Sequence, residues 1–76
     1  MLITMKNVLV FKTSVSEEKD INKLRPVLNA LTPPTDLWNF DLEDCDNILR
    51  IETQNLRATA VLDSLHTLGY LCEELH

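Results

Sequence analysis

The chain has 76 residues, twelve Asp/Glu against seven Lys/Arg for a formal net charge of −5, and 45% hydrophobic residues. That length leaves room for a single domain spanning 1–76 that buries roughly three fifths of its surface, and the composition argues against both intrinsic disorder and Gly-rich architectures, since there is one glycine. The acidic balance argues against nucleic acid and anionic membranes as partners, and no apolar run reaches the roughly eighteen residues of a membrane span.

The amino end, Met1-Leu-Ile-Thr-Met-Lys6, has its lysine after the apolar run rather than before it, so a cytoplasmic location is the expectation. Asn7-Val-Leu-Val-Phe-Lys-Thr13 is β-branched, aromatic and apolar on both alternating faces, which predicts a central strand, β1. Ser14-Val-Ser-Glu-Glu-Lys-Asp20 then supplies capping serines and acids. Ile21, Leu24, Leu28 and Leu31 follow at helical spacing, which predicts helix α1. Its start has two readings, Ser16 as N-cap or a Ser14-x-x-Glu17 capping box. With Ser16 as N-cap, Glu17, Glu18 and Asp20 occupy the first turn, where negative charge is favoured by the helix dipole, and the capping box uses the same Glu17. Pro26 removes a donor from the middle of this helix, and a kink is expected there. Pro33 and Pro34 force an extended turn.

Leu37-Trp-Asn-Phe-Asp-Leu42 alternates strictly, with Trp38, Phe40 and Leu42 on one face, and predicts strand β2. A polar turn leads to β3, Asn47-Ile-Leu-Arg-Ile-Glu-Thr53, with Leu49 and Ile51 inward. Residues 55–68 put Ala58, Val61, Leu62, Leu65 and Leu68 on one stripe, which predicts helix α2 ending before Gly69. The tail Tyr70-Leu-Cys-Glu-Glu-Leu75 fits an edge strand, β4. The order βαββαβ, with right-handed crossovers, predicts an α+β ferredoxin-like sandwich: a four-stranded antiparallel sheet of order 4-1-3-2 with both helices on one face.

In this arrangement the chain resembles the heavy-metal-associated, copper-chaperone-like domains. The resemblance is carried by Phe11-Lys-Thr13 closing β1, the loop Ser14-Val-Ser16, Trp38 in β2, the turn through Asp44 and Asp46 into Ile48-Leu-Arg-Ile51, and Gly69-Tyr70 after α2. The family's Cys-x-x-Cys metal motif falls on Glu17 and Asp20. Carboxylates are hard ligands with little preference for Cu(I), and one pair holds even zinc weakly. The resemblance therefore implies the fold without the thiolate site, and no cofactor is expected. The alternative is a metal chaperone or sensor that uses Glu17 and Asp20.

Other candidates have simpler readings. Asp41, Glu43, Asp44 and Asp46 lack the glycine and distal glutamate of a calcium loop and read as a solvated hairpin. Cys45 is expected to be exposed and Cys72 buried, both reduced. His66 and His76 read as solvated, with no nucleophile nearby to activate. Ser14, Ser16 and Ser64 lack a nucleophile-elbow context, one glycine cannot build a phosphate loop, and Arg25, Arg50 and Arg57 match no acylphosphatase loop, so no enzyme is expected. Trp38 and Tyr70 are read as core aromatics, Tyr70 beneath Val15. If Leu9 and Phe11 face the helices, Val8 and Val10 point away, beside Ile48 and Leu71. These four residues are either scattered surface aliphatics or an interface for a protein partner or second copy.

Overall fold

The computed structural model describes residues 7–75, in the order β1 (Asn7–Thr13), α1 (Glu18–Leu31), β2 (Leu37–Asp41), β3 (Ile48–Thr53), α2 (Ala58–Thr67) and β4 (Cys72–Leu75). The strands form one open antiparallel sheet in the order β2-β3-β1-β4. Strand alternation divides this sheet into a packed and an open face. Phe11, Leu49 and Ile51 are fully buried in one cluster with Leu24 and Leu28 of α1 and Val61 and Leu65 of α2. Both helices therefore cover the same side of the sheet. Trp38, Phe40 and Leu42 pack against this core as their alternation predicts, with the Trp38 and Phe40 rings edge to face at 6.0 Å.

Several local expectations change. Neither serine caps α1: the N-cap is Glu17, which makes no side-chain capping bond, and its carbonyl accepts from the Asp20 and Ile21 N–H groups. Ser14 Oγ instead accepts from the Leu71 N–H at 2.9 Å, while the Ser14 N–H donates to the Leu71 carbonyl at 3.0 Å. The cap competes with a bond to a segment 57 residues away and loses. Helix α1 runs unbroken through Pro26. Asn22 and Pro26 are both exposed, so the carbonyl left without a donor sits on the helix's solvent side. At the other end Thr32 closes α1, its N–H and Oγ1 both donating to the Leu28 carbonyl.

Strand β2 stops at Asp41, one residue early, because Asp41 Oδ1 accepts from the Glu43 and Asp44 N–H groups and turns the chain. Asp44 Oδ1 then accepts from the Asp46 N–H, and Asn47 takes φ 49°, a left-handed conformation that asparagine tolerates. Helix α2 begins at Ala58, not 55, since Thr53 Oγ1 holds the Leu56 N–H in the preceding turn. Leu68 leaves the buried stripe and is exposed, and Gly69 follows at φ 91°, where a side chain would be strained. Strand β4 starts at Cys72, two residues later than expected. No helix among the described residues is long and apolar enough to cross a membrane.

Candidate interaction surface

The open face of the sheet is built in rows by the strand register. Leu37, Glu52 and Val8 make one row; Asn39, Arg50, Val10 and Leu75 the next; Asp41, Ile48, Lys12 and Glu73 the third. Val8 is 54% exposed, Leu37 62% and Leu75 38%, and Val10 is half-buried. Ile48, expected among the exposed aliphatics, is only 4% exposed. It lies between Asp41 and Lys12, and Lys12 reaches Asp46 of the adjoining turn at 3.6 Å. Leu71 is 74% exposed but is not a neighbour of Val8 and Val10, because Val10 pairs with Leu75 while Leu71 meets Ser14.

The apolar positions of this face that reach solvent are therefore Val8, Val10, Leu37 and Leu75, with Ile48 buried among them. The sequence reading missed Leu37 and Leu75, although the β2 alternation already pointed Leu37 away from Trp38 and Phe40. Charges of both signs are interspersed. Arg50 approaches Asp41 at 3.8 Å, a loose and exposed pair worth little, while Glu52 and Glu73 form no ion pair among the described residues.

The α1 amino end is organised by other bonds. Asp20 accepts a 2.9 Å hydrogen bond from the Tyr70 hydroxyl, and Glu17 pairs with Lys19 at 3.1 Å on an exposed surface. Tyr70 packs against the cluster that contains Val15. Burial and, next, the Asp20 carboxylate push the Tyr70 hydroxyl pKa upward, which keeps it a proton donor.

Cys45 is exposed and Cys72 buried, both free, and burial raises the Cys72 thiol to about 11. His66 is exposed, but its Nε2 lies 3.0 Å from the Cys72 carbonyl oxygen, a tie between α2 and β4 that the sequence did not reveal. His76 lies outside the described residues. Among the described residues, the one group of three or more potential metal ligands is Asp44, Cys45 and Asp46, whose ligand atoms fall within 4.8 Å of one another. Their turn explains the grouping, since both aspartates take part in its backbone bonding.

Compared with protein-family models, curated proteins and solved structures, the chain matches none.

Proposed function

We propose that this chain is a non-enzymatic, metal-free relative of the heavy-metal-associated domains, ferredoxin-like in fold, cytoplasmic, and working through protein contact. The partner we favour is a second copy held across the open sheet face. The observation that carries this reading is the set of exposed apolar residues Val8, Leu37 and Leu75 on one face, interleaved with Arg50, Lys12, Glu52 and Glu73. Exposed apolar positions interspersed with charges of both signs suit a small, polar protein interface of the transient kind. Because both signs occur on this face, two copies related by a twofold axis can set the unpaired glutamates of one against the arginine and lysine of the other.

The metal alternative finds less support. Where the family motif has thiolates, Asp20 is engaged by Tyr70 and Glu17 by Lys19. A dilution series followed by amide chemical shifts tests the contact reading. Concentration-dependent shifts confined to residues 8, 10, 37, 50, 52, 73 and 75 are expected. Shifts centred on residues 14–20 that appear only when Cu(I) or Zn(II) is added would favour the metal reading.

A further inference from the structure

The two free edges of the sheet are protected unequally. Strand β4, at one edge, has four residues and carries Glu73 and Glu74, which discourages a further strand. Strand β2, at the other, has five residues, Leu37–Asp41, without lysine, proline or glycine, and among the described residues pairs only with β3. Alternate backbone N–H and C=O groups along it therefore face outward without a ladder partner among the described residues.

Beside this edge runs a groove of about 720 Å³, within the usual size of ligand sites. Its wall is one face of α1, formed by Glu18, Ile21, Arg25 and Asn29 at helical spacing. Trp38, Phe40 and Leu42 line it from the sheet side. At one end Arg25 lies over the Trp38 ring at 5.7 Å, and the Trp38 Nε1–H donates to Asn29 Oδ1 at 2.9 Å, which fixes both walls.

The charge in the groove is one-sided. Among the described residues, Glu18, Asp36, Asp41 and Glu43 line it with Arg25 as the one cation. Asp41 is already near Arg50, whereas Glu18 and Glu43 are exposed and form no ion pair among the described residues.

We infer that the cleft between α1 and the β2 edge binds an extended, basic peptide segment of another protein, which adds as a fifth strand to β2. The peptide backbone pairs with the outward groups of β2. Alternate side chains enter the groove against Ile21 and Phe40, and a terminal lysine or arginine lies against Glu18 and Glu43. This surface shares Leu37, Asn39 and Asp41 with the open sheet face but is distinguished from it by the α1 wall of Glu18, Ile21 and Arg25, so peptide binding and self-association are read at different residues.

The test uses the full chain and a capped peptide, acetyl-Lys-Val-Thr-Val-Thr-Val-Lys-amide. Trp38 is the single tryptophan and lines the groove, so its fluorescence reports occupancy, and amide shifts locate it. Saturable binding is expected, with shifts in residues 36–43 and on the Glu18 face of α1. Of two peptides N-methylated at alternate residues, one should lose binding and the other keep it, since a strand pairs along one edge only. The double variant Glu18→Lys with Glu43→Lys changes exposed residues and should bind roughly tenfold more weakly while remaining folded. Absence of saturable binding, equal binding of both N-methylated peptides, equal binding of a peptide with glutamates in place of both lysines, or shifts centred on the open sheet face or on β4 would each overturn the inference.

Discussion

The hydrogen bond from Tyr70 to Asp20 joins residues fifty positions apart and ties the start of α1 to the segment before β4. Removing the hydroxyl by Tyr70→Phe should cost about 0.5–1 kcal/mol at neutral pH, read from a urea midpoint with unchanged slope. The pH dependence follows from the raised Tyr70 pKa. The stabilisation is fully present below the ordinary value of 10.0 and is lost as pH rises through the higher folded value, where the phenolate no longer donates. Wild type and variant should therefore converge in stability in strong alkali. A constant difference across that range would contradict the assignment. The two cysteines offer a second check at the same scale. At pH 8 a thiol reagent should modify exposed Cys45 at once and buried Cys72 only after denaturation, because the Cys72 thiol is both covered and raised to about 11. Equal rates at both sites in the native protein would show that Cys72 is not held in the core at the start of β4.

Among the elements, Ser14 and Ser16 separate local from long-range logic. Ser14→Ala should destabilise by about 0.5–1 kcal/mol through the lost Leu71 bond, while Ser16→Ala should stay within about 0.5 kcal/mol, since the N-cap is Glu17. The reverse order would restore the serine cap. Pro26→Ala returns an N–H to the Asn22 carbonyl within an unbroken helix and should stabilise by about 1–3 kcal/mol, measured by thermal or urea unfolding. A loss of stability would mean that the proline ring supports packing that its exposure does not suggest.

The strands and the buried helix stripes were legible because alternation in β1, β2 and β3, and the spacing of Leu24, Leu28, Val61 and Leu65, are local patterns with one packing solution. The choice of cap was not, because the competitor for Ser14 lies at Leu71. The burial of Ile48 was not legible either, since its strand neighbours Lys12 and Asp41 come from two other segments. Alternation placed Val8 and Val10 correctly on the outer side, but only the register put Leu75, rather than Leu71, beside Val10. No local pattern in the sequence marks the groove along β2, since it exists where α1 and an edge strand meet.

For the whole molecule, the formal charge of −5 opposes close approach of two copies, so the proposed association rests on the local pattern of the open sheet face. That pattern places apolar Val8, Val10, Leu37 and Leu75 among charges of both signs, and the proposed contact requires their burial to outweigh the general repulsion. Val8 is more than half exposed, so replacing it leaves the core intact. The most direct measurement is sedimentation velocity of the wild type and Val8→Glu from about 10 µM to about 1 mM, the range that covers weak, transient dimers. The wild type should sediment faster as concentration rises and Val8→Glu should remain monomeric. A wild type that stays monomeric throughout, or a variant that associates equally well, would contradict a contact surface on this face.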